Sequence, residues 1–415
     1  MKKASKFLDR NIAYFLILPA IIFIFLFSIL PIFESMKYAF FDFQLNDQTK
    51  SGLYMSPNYN GTLYQETVEY ILYYLDIEES VVTKEASTAQ IEKIRGELSE
   101  YETYMTEKIL KSQTTPVFKI DAEKQAEIQV KNQTLMQSLE ALYETGDDYY
   151  SKDDMLAVAS ELDTCIIESN FVGLDNFKQV VMDERVRYTL MITLIFTVIS
   201  VTFELMLGMA LAMIMNKAMR GRGIIRTVSL IPWAIPTSVA ALMWSYLYNG
   251  SSGIVAHAFA AAGLIQEPTA LLLSAKGALG AIILADVWKT TPYMALLLLA
   301  GLQVISDSLY ESSSLDGATK WEQFKFITLP LLKPSIFVAL LFRTLDAFRV
   351  FDLIYVLTGG GPGGTTESLS VYAYKVMFAQ TRFGYGSAMV LIMAITVGII
   401  SYAYIKLLDV QLIGG

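Results

Sequence analysis

The chain has one cysteine and one histidine in 415 residues. With Cys165 alone, neither an intrachain disulfide nor a thiolate metal cluster can form, and the redox compartment stays open. His257 stands among alanines with no second histidine, so a metal centre and histidine acid–base chemistry lack their usual groups. No segment carries a Walker Gly-Lys-Ser/Thr ending, which leaves the chain without an ATP site of its own. Basic charge is also scarce. Lys and Arg number 32 against 41 Asp and Glu, a net of −9, the wrong sign for a phosphate backbone, so nucleic acid is not an expected partner. No catalytic, cofactor or metal-ligating set is expected.

Apolar sequence is what the chain has in quantity. At 53% hydrophobic and 18% charged residues, with a mean hydropathy of +0.42, it is too apolar for one soluble core and too charged to lie in a bilayer throughout. Runs of spanning length occur at 12–33, 188–215, 227–248, 277–304, 334–357 and 387–405, predicting six transmembrane helices. The first, third and sixth hold no charged residue. The first run is kept as an anchor, since its 22 uncharged residues end in no small-residue cleavage pattern. Lys2, Lys3, Lys6 and Arg10 precede the first run, and Lys217, Arg220, Arg222 and Arg226 fill the loop after the second. The positive-inside rule therefore puts both ends of the chain, and the loop near Glu311, in the cytoplasm.

The acidity belongs to one segment. Residues 43–185 contain 27 Asp or Glu against 12 Lys or Arg, a net of −15, so the rest of the chain carries +6. Topology places this segment outside, as an insert between the first and second spans. Ile91, Ile94, Leu98, Tyr101, Met105 and Ile109 recur at helical spacing, as do Ile128, Leu135, Leu139 and Leu142 after a break at Thr114-Thr115-Pro116. Two long helices facing each other would bury both stripes, with shorter helical flanks at 64–75 and 154–167. The expected division is a cytoplasmic N-terminus with the first helix over 1–42, a helical extracytoplasmic insert over 43–170, and a five-helix core over 171–415.

The polar stretch 305–333 lies between two apolar runs and is broken by glycine. Ser308 with Glu311 and Thr319 with Glu322 have capping-box spacing, Asp316-Gly317 supplies a turn, and Pro330 is expected to stop the second helix. That helix would carry Trp321, Phe324 and Ile327 on one uncovered apolar face. Leu309-Tyr310-Glu311, Leu315-Asp316-Gly317-Ala318 and Ile327-Thr328-Leu329-Pro330 resemble the loop that permeases of ATP-binding-cassette importers insert into their ATPases, with Ser312 and Ser313 where alanines are usual. The resemblance extends through Ile231-Pro232-Trp233, Trp288, the Gly359-Gly360-Gly361-Pro362 run with Glu367, and the Phe171–Phe177 stretch that resembles the entry to the transporter core. It covers nearly all of residues 171–410 and is to the larger permease of maltose-type importers, within the binding-protein-dependent transport inner-membrane component family.

The resemblance implies an all-α membrane protein with a type I importer core, set in the bacterial cytoplasmic membrane. The implied partners are a homologous second permease, two ATPase subunits that hold ATP and Mg, and an extracytoplasmic sugar-binding protein. It also implies ATPase coupling through Glu311, Ser312, Ser313, Asp316, Gly317, Trp321 and Phe324. Charged residues within apolar spans should face protein or water. Such residues occur at Asp286 and Lys289 and, at every third position, at Arg343, Asp346, Arg349 and Asp352. They read either as ion pairs that fix packing or as a sugar site. The family pattern, counted from Glu311 and the glycine run, implies a site of Asp286, Lys289, Thr290, Tyr293, Arg343, Asp346, Ala347 and Val350, with Tyr293 as the stacking surface. An alternative is an ion-coupled secondary transporter relaying through Glu204, Asp286 and Asp346. A sensor is a third reading, with no output domain after Ile405.

Overall fold

In this computed structural model the described residues are 17–111, 113, 115–217 and 221–407. Lys2, Lys3, Lys6, Arg10, the start of the first apolar run, Thr114, Arg220 and the tail beyond 407 lie outside them. The chain forms two compact units, one running to Asn176 and taking in Thr381–Gly384, the other made of Phe177–Gln380 and the residues from Tyr385. The division falls six residues beyond the expected 170/171 boundary. Asn176 holds residues 171–176 to the first unit, its Nδ2 donating to the carbonyls of Ala39 at 3.0 Å and Phe41 at 2.9 Å.

The first unit begins with α1, Ile17–Tyr38, whose apolar side chains are exposed. The insert follows as β1 (Asn58–Asn60), α2 (Gly61–Val81), α3 (Glu85–Tyr104, extended by a π turn over Met105–Leu110), β2 (Val117–Lys119), α4 (Ala122–Tyr143), α5 (Lys152–Thr164) and β3 (Ile166–Ile167). The two stripes meet as the spacing predicts: Ile91, Ile94, Leu98, Tyr101, Met105 and Ile109 join Ile128, Leu135, Leu139 and Leu142 in one buried cluster. Asn60 and Asp121 cap α2 and α4 by accepting from the N–H groups of Leu63 and Lys124. A buried carboxylate, Glu78, accepts the N–H groups of Tyr150 at 3.0 Å and Ser151 at 2.6 Å. Asp147 gathers the start of α3 by accepting from Lys84 N–H at 3.0 Å and Ser87 Oγ at 2.6 Å. Those hydrogen bonds, Ser87 foremost, hold its carboxyl down at about 2. Cys165 is buried, which pushes its thiol up to about 12.

The insert is not purely helical. Its strands pair antiparallel in the order β2-β1-β3, with Tyr59 opposite Phe118 on one side and Ile166 on the other. At two and three residues, these strands are too short to show alternation in sequence.

The second unit contains α6 (Glu184–Asn216), α7 (Arg222–Ala234), α8 (Thr237–Leu247), α9 (Ala275–Leu302), α10 (Asp307–Leu315), α11 (Lys320–Phe348), α12 (Asp352–Leu357), α13 (Leu369–Ala379) and most of α14 (Phe383–Lys406). Among the described residues five helices are long and apolar enough to cross a membrane, and six result if the α7–α8 pair is one span. That pair bends by 89°. Pro236 lacks an N–H and drives Ile235 out of the helical region, to ψ 132°. α6 and α9 pack so closely at Gly208 that an added Cβ would lie 2.7 Å from Met294 Cγ.

The fifth span differs from its expected 334–357. α11 starts at Lys320 and ends at Phe348, and residues 352–357 form the separate α12, with Leu353 and Ile354 in the core. Starting fourteen residues earlier gives 29 helical residues by Phe348, already a full crossing. The carbonyl of Val350 in the break accepts from Ser368 Oγ at 2.9 Å. Pro330 does not stop the helix. A π turn over Phe324–Thr328 has Leu329 N–H donating back to Phe324 O, so Pro330 falls in the first turn of a new register, where a missing N–H is tolerated.

Candidate functional site

A cavity of about 310 Å³ opens among the helices of the second unit, lined by polar and aromatic residues from α7, α8, α9, α11 and α12. The sequence-expected residues Asp286, Lys289, Thr290, Arg343, Asp346, Ala347 and Val350 line it, joined by Trp233, Thr237, Arg349, Phe351, Asp352 and Leu353. Asp286, Lys289 and Thr290 share one face of α9, and Arg343, Asp346 and Ala347 one face of α11, so two helical periodicities converge.

At the base lies a charge cluster. Arg343 is 1% exposed. Its Nε donates to Glu204 Oε2 at 2.5 Å, Nη2 to Glu204 Oε1 at 2.9 Å and to Asp286, and Nη1 to Asp346 at 3.2 Å. Thr290 Oγ1 closes the set at 2.7 Å from Glu204 Oε1. A buried guanidinium held by carboxyl groups on three sides has its charge more than offset and its donors largely taken. Arg343 therefore shapes the cavity floor and offers little to a ligand. The groups free to meet one are higher: Asp346 and Arg349 keep more than half of their side-chain exposure while pairing at 3.4 Å. Asp352 does not extend this series, because the helix has ended and Asp352 starts α12.

Tyr293 stands apart from the lining. Its ring stacks on Trp233, with centroids 5.4 Å apart and planes at 13°. Trp233 itself, 45% exposed, forms the aromatic wall, with Phe351 a second aromatic lining residue. Trp233, Thr237, Arg349, Phe351, Asp352 and Leu353 lay outside the expected sugar site, and Glu204 was expected only as a relay residue of the ion-coupled alternative. Glu204 had a signal, being the lone acid in the second apolar run. Trp233 was singled out only within the Ile231-Pro232-Trp233 resemblance, and its place on the cavity goes with the bend at Pro236, which hydropathy does not show.

The polar stretch after α9 folds as a helical pair. α10 begins at Asp307 with Ser306 at its N-cap, so Glu311 lies past the first turn and the expected Ser308–Glu311 box does not form; Ser308 Oγ pairs with Ser306 Oγ at 2.8 Å. Gly317 sits at φ +82°, a conformation that favours glycine. The Thr319–Glu322 capping box is present and starts α11. Gln323 is buried and locks the pair, its Nε2 donating to Tyr310 O at 3.0 Å, Ser313 Oγ at 2.9 Å and Ser314 Oγ at 2.8 Å. Thus Ser313, where the importer pattern has alanine, acts as an internal acceptor. Of the expected apolar face, Trp321 is 69% exposed, whereas Phe324, stacked on it at 5.5 Å, is half-buried against the core, and Ile327 is half-buried too. Leu315, 90% exposed, adds to the outward surface. Glu311, Ser312 and Asp316 lie on α10 or its turn.

The glycine run folds around a third cluster. Glu367 is buried, accepting from Arg185 Nη2 and from Lys375 Nζ at 2.7 Å each, and Lys375 also donates to Gly359 O at 2.7 Å. Four glycines of the run, Gly359, Gly360, Gly363 and Gly364, have positive φ.

Residues 204–413 match the family described as binding-protein-dependent transport system inner membrane component. The chain belongs to this family. This transport component is 46% identical over 243 residues to the trehalose/maltose transport system permease protein MalF of Thermococcus litoralis, covering 59% of this chain and 81% of that protein. It is 41% identical over 248 residues to the trehalose transport system permease protein SugA of Mycobacterium tuberculosis, covering 60% and 78%. In fold it resembles a bacterial ABC transporter involved in import of the acidic polysaccharide alginate, with a TM-score of 0.52 at 24% identity over 57% of this chain and 84% of that one. The insert, 58–167, lies before the matched segment.

Proposed function

We propose that this inner-membrane component is one of two homologous permease subunits of an ATP-driven sugar importer, and that its sugar is a disaccharide or a short maltodextrin-like chain. The cavity carries this reading. It combines an aromatic wall at Trp233 with exposed Asp346 and Arg349, a set suited to a sugar's apolar ring face and adjacent hydroxyls. The relatives named for trehalose and maltose point to the same class. Two ATPase subunits, holding ATP and Mg, would receive the α10–α11 pair from the cytoplasmic side, with both chain ends on that side. An outer binding protein would deliver the sugar. ATP-driven closure then moves the helices between inward-open and outward-open states.

The test is uptake into proteoliposomes holding the complex that purifies with this chain. We expect trehalose or maltose uptake that needs internal or external ATP according to orientation and ignores a proton or sodium gradient. Gradient-driven uptake by this chain alone would replace the reading with a secondary transporter. For the loop, Gly317→Pro is expected to abolish sugar-stimulated ATP hydrolysis while leaving membrane insertion intact. Normal coupling in that variant would remove the loop from the mechanism.

A further inference from the structure

Lys289 is a buried cation in α9 that takes no carboxylate partner at hydrogen-bond distance among the described residues. Its Nζ donates instead to the backbone carbonyls of Ile235 at 2.9 Å and Trp233 at 3.3 Å. Trp233 lies in the last turn of α7 and Ile235 caps its end, at the bend. The reason they are free is local. In an unbroken helix they would accept from the N–H groups of Val239 and Thr237, but Pro236 and the extended Ile235 divert the chain, and the ladder resumes only with Ala240 N–H on Pro236 O. Carbonyls left open at membrane depth are costly, and the C-terminal end of a helix carries a partial negative charge that favours a cation.

One turn further along α9, Tyr293 stacks on the Trp233 ring. Two residues of one α9 face thus hold the end of α7, Lys289 by the backbone and Tyr293 by the ring. The piece they hold presents Trp233 to the cavity.

We infer that Lys289 is a positioning residue of the transport site: its ammonium caps the broken end of α7 and so fixes the aromatic wall, rather than contacting the sugar. The inference rests on the sugar-importer reading for its uptake measurement and is independent of it for its structural one. Lys289→Met keeps the side-chain length and removes the donors. Lys289→Arg keeps donors that can reach two carbonyls.

The experiment uses the full reconstituted complex, with Ala234→Cys introduced in the parent and in each Lys289 variant. The buried Cys165 serves as the unlabelled blank. Two quantities are read: the rate of labelling of the introduced cysteine by a small maleimide, and the KM and Vmax of trehalose or maltose uptake. Losing the cap should change the labelling rate of the exposed residue 234 in Lys289→Met severalfold and raise KM about tenfold, the scale of one lost buried hydrogen-bond partner, with Vmax changed far less. Lys289→Arg should restore both readings to near the parent's. A raised KM with unchanged labelling would make Lys289 a direct sugar ligand and overturn the inference, as would parent-like values for Lys289→Met in both. If Lys289→Met does not assemble, Lys289→Gln, which keeps a shorter neutral donor, is judged by the same two readings. Absence of sugar uptake in the parent as well would sink the sugar reading while the labelling ratio still decides the role of Lys289.

Discussion

Arg343 and Asp147 illustrate how differently a charge is handled in the two units of this chain. Arg343 is almost wholly buried, so Glu204, Asp286 and Asp346 converge on it from three helical positions. A charge at bilayer depth is costly on its own, and such residues are rare, which is why Asp286, Arg343 and Asp346 were legible in the sequence as a group. Which of them would face a ligand was not legible, because that depends on Glu204, 139 residues away, absorbing the guanidinium. Tyr293 was placed near the site for its aromatic ring, and the stack on Trp233 converts it from lining to support. Asp147, by contrast, is solvated and works through ordinary hydrogen bonds to the start of α3. Its carboxyl is depressed from 3.8 to about 2. A depressed acid adds stability that is complete above the unfolded value and fades as pH falls through the folded one. We therefore expect hydrogen exchange at residues 83–88 of the intact chain to quicken as pH drops from about 4 toward 2, beyond the intrinsic trend. Asp147→Asn should show no such acid-dependent step, and an identical profile in both proteins would refute the role.

Helices with a clean stripe were the most readable elements. In α3 and α4 every residue singled out by spacing is buried, since a long amphipathic helix has only one face to hide. The spans were harder. The bend between α7 and α8 follows from Pro236, yet the uncharged run across it reads as one segment by hydropathy alone. α11 was displaced in the reading because Lys320, Glu322, Lys325 and Lys333 lower the hydropathy of its first turns, and the break after Phe348 has no proline or glycine to announce it. The contact of α6 with α9 is tightest where a side chain is absent. Gly208 lets Met294 and Ala295 approach, so Gly208→Ala should cost about 1–3 kcal/mol by overpacking. The check is thermal unfolding of the purified chain in detergent, and an unchanged midpoint would mean Met294 swings aside freely.

At the scale of the whole molecule, the described residues form two hydrophobic cores with no shared member, one in the insert and one among the spanning helices. Each is a candidate cooperative unit. Leu139→Ala, a buried truncation in the insert, should cost about 2–5 kcal/mol and lower one unfolding transition while leaving the other in place. A single transition that moves as a whole would show the two to be one cooperative body. The size of the chain also bears on how it is made. Glu204 emerges from the ribosome 82 residues before Asp286 and 139 before Arg343, so the acid of α6 enters the bilayer, or waits at its edge, long before its counter-charge exists. At roughly 5–20 residues per second, that interval is several seconds to about half a minute. During it the acid of α6 has no partner and is held in lipid only as the neutral carboxyl, and α9 and α11 each arrive with charges of their own. Pairing with Arg343 is thus the step that lets the acid of α6 become charged within the bundle, so a chain truncated before Arg343 should keep α6 and α9 less firmly associated.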